Sequence, residues 1–468
     1  MKKTVSFIGA VLLCLSSFSQ TLTLKIQRAF GEFEADEQMK NGLSSLYVID
    51  AASGKVVFEK NARLGLAPAS TQKIITSTTA FELLGTGYRY KTELWVSGEQ
   101  KGDTVWSNFF VKGSGDPTLG SWRYTETRPE EVIANLIGGL NKRKIKHITG
   151  TFLYNADEFP AQVIPGGWIW EDIGNYYGAG ADVLNWRENQ YDIVLRSGSD
   201  IGDSVEIISP ARNFVNQLKS AAKGTGDNAY VYFPLDGYSP VITGTIPVNE
   251  NAFKISASNP QHTQTFAMEL AAGLKKSGIG FSEAGFGHPS RETVLGFFPL
   301  NNVKTTLVAQ HLSPSLDSIV YWFNRKSINL YGEALVKTFA YEKQRFGSTD
   351  SGVAILRRFW GEKGIDESEL NMYDGSGLSP LNRVTTHAQV EILKYARSRP
   401  WFNAFYESLP EYNNMKMKSG TISDVKGFCG YHKAKDGKEY IYSFLVNNYS
   451  GRASAIVAKM YKVLDHLK

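Results

Sequence analysis

The stretch Pro68-Ala69-Ser70-Thr71-Gln72-Lys73-Ile74-Ile75 sets a serine three residues ahead of a lysine where an apolar segment begins, and that segment runs to Leu84 before Gly85 stops it. Positions i and i+3 of a helix lie on one face, so a helix over 70–84 brings the Ser70 hydroxyl and the Lys73 amine within hydrogen-bonding reach. A serine becomes a nucleophile when a base takes its proton, and a lysine serves as that base when burial or neighbouring cations lower its pKa. The free N–H groups and dipole of a helix N-terminus favour negative charge developing at Ser70. The pattern points to acyl transfer. Ser-X-X-Lys also occurs at Ser220 to Lys223 and at Ser423 to Lys426. The motif alone therefore decides nothing, because an N-cap serine and a solvated helix lysine explain any single copy equally well.

A chain of 468 residues exceeds what one compact core holds, and about three domains are expected. An aromatic content of 12% argues against disorder. Met1-Lys2-Lys3, the apolar run from Val5 to Leu15 and the small residues Ser17 and Ser19 read as a secretory signal peptide over 1–19. That run is too short to span a membrane, and no later stretch reaches the length needed. Cys14 follows Leu13, where a lipoprotein signal carries a small residue. A soluble exported protein is expected, periplasmic or otherwise outside the cytoplasm, with no stable membrane insertion. Cleavage lowers the formal charge of +5 by two, an excess too small to imply nucleic acid. It also leaves Cys429 as the only thiol, so no internal disulfide forms, and its apolar strand context predicts an inert buried side chain.

The chain changes character along its length. Leu46 to Ile49 and Val56 to Phe58 flank Ala52-Ser53-Gly54-Lys55 as a hairpin leading to the helix over 70–84. From about Tyr90 to about Gly296 strand-like segments dominate, such as Glu93-Leu94-Trp95-Val96 and Phe109-Phe110-Val111, and the clearest helix there runs from Gln264 to Lys276. Helical patterning returns over 315–341, broken near Lys326-Ser327, and again over about 352–361 and 386–397. Three strands follow, over 415–422, 427–432 and 440–447, with Lys435-Asp436-Gly437-Lys438 turning between the last two. A final helix places Ile456, Met460, Val463, Leu464 and Leu467 on one face. The expected organisation is one domain built from 20–89 and 300–468, interrupted by a β-rich insert over 90–299 that forms one or two accessory domains.

Two further motifs accompany the first. Ser327-Ile328-Asn329 is the only Ser-X-Asn in the chain and falls at the helical break, while Lys418-Ser419-Gly420-Thr421 lies on a predicted strand. Another Lys-Ser-Gly begins at Lys276, where Gly278 closes a helix as its C-cap. In the order Ser-X-X-Lys, Ser-X-Asn, Lys-Ser-Gly, the three resemble the motifs of penicillin-binding proteins and serine β-lactamases. Gly113-Ser114-Gly115-Asp116-Pro117-Thr118-Leu119 and Asp374-Gly375-Ser376-Gly377-Leu378-Ser379 narrow this to a resemblance to the peptidase S13 family. That family comprises D-alanyl-D-alanine carboxypeptidases and endopeptidases of the penicillin-binding protein 4 type, in which a large insert separates the first two motifs.

The resemblance covers essentially all of the mature chain. It implies an α/β transpeptidase/β-lactamase-like domain with an antiparallel sheet flanked by helices, and it implies roles for matching residues. Ser70 is the acyl-ester nucleophile and Lys73 the general base. The Ser70 and Thr421 N–H groups form an oxyanion hole. Ser327 relays a proton to the departing amine, and Asn329 orients the substrate amide and Lys73. Lys418 supplies positive charge, with the Ser419 and Thr421 hydroxyls holding a terminal carboxylate and Gly420 allowing an extended peptide close to the strand. Asp116 contacts the amine end of the peptide side chain, or else is simply the turn residue before Pro117. Residues 374–379 form a Gly-rich loop supporting the site. The implied partners are peptidoglycan stem peptides, with β-lactam antibiotics as acylating inhibitors, and neither metal nor organic cofactor is required. Some relatives carry a basic residue where this chain has Pro380, with Arg383 as a substitute nearby. Ser419 replaces the commoner threonine and keeps the hydroxyl.

A Ser-His-Asp hydrolase is disfavoured because Gly-X-Ser-X-Gly is absent, and a metallopeptidase because His-Glu-X-X-His is absent. Trp168 and Trp170 suit either sugar stacking or packing of an accessory domain. Two alternatives remain on the same motifs: a serine β-lactamase, which needs efficient water activation for deacylation, and a catalytically silent wall-binding protein.

Overall fold

The computed structural model describes residues 22–106, 108–150, 152–210, 213–235, 239–281 and 305–468; the expected signal peptide and Cys14 lie outside the described residues. Two compact units emerge, one of residues up to Leu83 with Val320–Ser327 and Val353–Lys468, the other of Leu84–Ile319 with Ile328–Gly352.

The first unit is built on a six-stranded sheet in the order Val56–Lys60, Leu43–Asp50, Glu439–Asn447, Val425–Lys433, Met415–Ile422, Glu411–Tyr412, antiparallel throughout. Its central strands are rich in β-branched and aromatic residues and covered on both faces, so their buried positions run on instead of alternating. On one face Ile26, Phe30 and Phe33 from the helix over 22–34, with Ile456, Met460 and Val463 from Ala453–Leu464, pack on Leu46, Val48, Tyr442 and Phe444. The other face carries Thr386–Arg397, whose N-cap Thr385 accepts from the Ala388 N–H. Gln389 of that helix accepts from the Ser443 hydroxyl and donates to Thr71 Oγ1, so one buried amide ties helix, sheet and the Ser70 turn together.

In the second unit a sheet ordered Thr305–Leu312, Lys91–Ser97, Phe109–Lys112, Phe152–Tyr154 packs with the helices Pro129–Lys142 and His262–Lys276 around Val111, Leu136, Leu140, Phe266 and Leu270. Two smaller sheets within 190–258 enclose their own core of Ile193, Leu195, Val231, Ile242 and Ile255. This region is less purely β than its sequence suggests, because Pro129–Lys142 is a 14-residue helix. Its signals are Pro129 at the first helical position, Glu130 and Glu131 in the first turn, and inward Val132, Ile133, Leu136, Ile137 and Leu140. The adjacent Gly138 and Gly139 mask the pattern. Gly139 is there for close approach, since a Cβ on it would stand 2.4 Å from Val308 O.

The expected break between helices falls at Ser327, which ends Leu316–Lys326 in a left-handed conformation (φ 57°) before Asn329–Gln344 begins. Among the described residues no helix is long and apolar enough to cross a membrane.

Candidate active site

Ser70 does not sit on the α-helix that the spacing predicts. Ala69–Gln72 is a turn of 3-10 helix, and the α-helix proper is Lys73–Leu84. Three residues per turn stack positions i and i+3 more closely than an α-helix does, and the tighter turn delivers the expected pairing: Lys73 Nζ donates to Ser70 Oγ at 2.9 Å. The same nitrogen donates to Ser376 O at 2.7 Å and lies 5.8 Å from the centre of the Phe323 ring. Lys73 is 0% exposed.

The turn is held from two sides by bare backbone. Ala69 has φ 46°, unusual for a residue with a side chain. Against it lies Gly377 (φ 83°), where a Cβ would stand 2.0 Å from Ala69 O. The loop bearing Gly377 is organised by buried Asp374. Its Oδ1 accepts from Gln72 Nε2, the Gly377 N–H and Asn382 Nδ2 at 2.9, 2.8 and 3.0 Å, and its Oδ2 accepts from the Ser379 N–H at 2.6 Å. Gln72 Nε2 also donates to Asp374 O, and Thr76 Oγ1 to Gly375 O. Residues 374–379 thus lock the Ser70 turn and supply the carbonyl that fixes Lys73, the supporting role expected for them.

From the other side comes Met415–Ile422. A Cβ on Gly420 would meet Pro68 O at 2.6 Å, Thr71 N at 2.8 Å and Ser70 N at 3.0 Å. Only glycine lets this strand lie against the Ser70 turn. Glu411–Tyr412 pairs with Met415 and Lys416 alone, so among the described residues no strand partners 418–422 on the side away from Val425–Lys433. An extended peptide can add there by backbone pairing. Lys418, on the same strand face as Gly420, is 1% exposed and donates to Ser419 O at 2.8 Å. Burial pushes its amine down to about 7. Thr421 Oγ1 accepts from Lys426 Nζ across the hairpin at 2.6 Å. Cys429 pairs with Lys418 in register; burial pushes its thiol up, with Lys418 opposing, which fits an inert side chain.

The structure therefore brings Ser70, Lys73 and Gly420 together within the first unit, with Lys418, Ser419 and Thr421 on the same strand as Gly420. Ser327 belongs to the same unit, one helical turn beyond Phe323. Asn329 belongs to the second unit, where its Nδ2 donates to Tyr177 O at 2.8 Å. Asp116 is also there, 2% exposed, its Oδ1 accepting from the Thr118 N–H and hydroxyl at 2.8 and 2.6 Å. Burial raises its carboxyl to about 6. Those are the bonds of a turn residue. The other Ser-X-X-Lys copies lack the helical setting: Ser220 lies on the strand Lys219–Ala221, and Ser423 in the turn after Met415–Ile422. Sequence reasoning passed over Phe323 and Tyr177, and no motif marks either.

Residues 26–467 match the D-Ala-D-Ala carboxypeptidase 3 (S13) family. The chain belongs to the S13 peptidase family. A D-alanyl-D-alanine carboxypeptidase of Actinomadura sp. strain R39 is 23% identical over 452 residues, 90% of this chain and 81% of the relative. The D-alanyl-D-alanine carboxypeptidase DacB of Haemophilus influenzae is 23% identical over 421 residues, 85% and 83% of the two chains. The solved penicillin binding protein 4 of Haemophilus influenzae is similar over 96% of this chain and 98% of its own at a TM-score of 0.75 and 20% identity. Its structure with a bound β-lactam gives 0.69 at 19% identity, over 91% and 96% of the two chains. This S13 chain accordingly has the penicillin binding protein 4 type of α/β fold, with helices, several sheets and inserted β-rich regions.

Proposed function

We propose that this S13 peptidase is an exported serine DD-peptidase that cleaves the terminal D-alanyl-D-alanine bond of peptidoglycan stem peptides through a Ser70 acyl-enzyme, and that it opens D-alanyl cross-links by the same chemistry. The observation that carries the reading is the 2.9 Å contact between Lys73 Nζ and Ser70 Oγ on a buried turn against which Gly420 brings a strand backbone. Neutral Lys73 takes the Ser70 proton as Oγ attacks the carbonyl of the penultimate D-alanine. The Ser70 and Thr421 N–H groups stabilise the oxyanion. Ser327 passes a proton to the departing D-alanine amine, Asn329 orients the substrate amide, and water then hydrolyses the ester. Lys418, with the Ser419 and Thr421 hydroxyls, holds the terminal carboxylate. Ser70, Lys73, Ser327 and Lys418 come from the first unit and Asn329 from the second. A β-lactam enters as an acylating substrate mimic. Asp116 Oδ1 serves the turn through Thr118, while its buried Oδ2 has no hydrogen-bond partner among the described residues, so a contact with the amine end of the peptide side chain stands beside the turn role.

The test combines fluorescent-penicillin labelling with mass spectrometry of products from defined muropeptides. A persistent label and release of D-alanine are expected, both lost in Ser70→Ala. Rapid loss of label indicates a β-lactamase, absence of label a silent binder, and full D-alanine release by Ser70→Ala refutes the nucleophile.

A further inference from the structure

The helix Asn329–Gln344 starts with the asparagine of the second motif, is buried from Asn329 to Tyr341, and is bonded to the inserted loops at its first, third and fourth turns. Asn329 Nδ2 donates to Tyr177 O, the Tyr331 hydroxyl to Glu188 Oε1 at 2.9 Å, Lys337 Nζ to Ala181 O, and the Tyr341 hydroxyl to Glu158 Oε2 at 2.7 Å. Among these partners Glu188 stands out. Its carboxylate is 1% exposed and paired with Arg123 through Nε at 2.7 Å and Nη2 at 3.1 Å, and it also accepts from the Ser121 hydroxyl at 2.8 Å. Its backbone is strained: Arg187, Glu188 and Asn189 have consecutive φ values of 53°, 52° and 50°.

Three consecutive left-handed residues with side chains are unfavourable and persist only where the surroundings over-determine them. Here they are over-determined. Asn189 Nδ2 donates to Gly180 O and Asn185 Oδ1, and its Oδ1 accepts from the Trp186 N–H. Asn185 Nδ2 in turn reaches Gly115 O and Asp116 O. The Gly113 to Leu119 motif, which the proposed chemistry does not use, thereby acquires a role: with Arg123 it fixes the strained turn that aims Glu188 inward.

We infer that Glu188 is a positioning residue for Asn329, acting through the Tyr331 hydroxyl. Asn329 and Tyr331 lie in the same first turn of the helix, so anchoring the phenol sets the rotation and axial position of that turn. Tyr177 O then selects the amide orientation of Asn329 by accepting from Nδ2. The inference rests on the role proposed for Asn329.

Tyr331→Phe tests it, because the ring stays in the core and only the hydroxyl is lost. Ser121→Ala is the control, since it removes a different hydroxyl from the same carboxylate oxygen and does not touch the helix. The acylation rate constant with a fluorescent penicillin and the Tm are measured for both. Tyr331→Phe should slow acylation about 5- to 20-fold, Ser121→Ala by less than about twofold at a similar loss of Tm, and Tyr331→Phe should have no further effect in an Asn329→Ala background. Should Tyr331→Phe not fold, Glu188→Gln replaces it with a slower acylation again expected. Unchanged acylation in Tyr331→Phe, or the same loss with and without Asn329, overturns the inference while a labelled wild type leaves the proposed function standing. A wild type that takes no label overturns both.

Discussion

Replacing Lys418 by methionine is expected to stabilise the fold while removing the hold on substrate proposed for it. The lysine amine lies at about 7 in the folded protein against an ordinary value of 10.5, because burial penalises its charged form. Between those two values the unfolded chain binds more protons than the native one, so wild-type stability rises with pH across that window. The penalty is complete below about 7 and gone above about 10.5, and taken at face value it is about 5 kcal/mol. Relaxation reduces it, and methionine forfeits the Nζ bond to Ser419 O, which contributes about 1–2 kcal/mol. A net gain of about 1–3 kcal/mol near pH 6.5 remains, or roughly 1–3 °C in Tm for a protein of this size. Thermal unfolding of both proteins at pH 6.5 and 9.5 checks the sign, and the gap should narrow at the higher pH. Penicillin acylation of the variant should fall by about two orders of magnitude for want of a cation facing the carboxylate. In the wild type, affinity for a carboxylate-bearing substrate should decline as pH rises above about 7. A variant less stable at pH 6.5, or a gap independent of pH, would refute the reasoning.

Gly420→Ala forces a Cβ to within 3.0 Å of three atoms of the Ser70 turn, so penicillin labelling should drop at least about 100-fold with the strand displaced; wild-type labelling would show that the strand yields. Asp116→Asn keeps the oxygen that accepts from Thr118 and removes a carboxylate that burial raises to about 6. The wild type loses stability as pH climbs from about 4 through 6, so the variant should be more stable by about 1–3 kcal/mol at pH 7.5 and nearly equal at pH 4. Chemical denaturation at the two pH values decides, and destabilisation at pH 7.5 would indicate a cationic partner for Asp116. Asp374→Asn places an N–H₂ group against a set of four donors. It should cost about 2–4 kcal/mol and slow acylation as the Ser376 carbonyl shifts from Lys73, with denaturant midpoints and labelling rates as readouts.

Much of the first unit is legible from pattern. The break at Ser327, the helix Thr386–Arg397 and the last two strands are where periodicity and turn residues put them, because local preference and tertiary burial agree there. Ala69–Gln72 departs from the pattern because Gly377 and Gly420 press on its backbone from segments roughly 300 and 350 residues away in the chain, which no local propensity reports. Pro129–Lys142 was obscured differently: Gly139, demanded by the carbonyl of Val308, weakens a helical pattern that is otherwise complete.

The same distinction governs the site. The proposed chemistry requires particular side-chain atoms at fixed spacing, so the residues proposed to carry it, Ser70, Lys73, Ser327, Asn329 and Lys418, stand in short motifs that can be recognised in one sequence. The groups that fix those side chains are largely main-chain carbonyls: Ser376 O for Lys73, Ser419 O for Lys418, Tyr177 O for Asn329. A carbonyl is supplied by every residue type, so these contacts place no constraint on side-chain identity and leave no trace in composition or spacing. They become visible only where the approach is so close that a Cβ is excluded, as at Gly377 and Gly420. Glycines within a functional motif are therefore the sequence record of its supporting backbone, and their loss should harm rate more than the loss of any exposed polar neighbour.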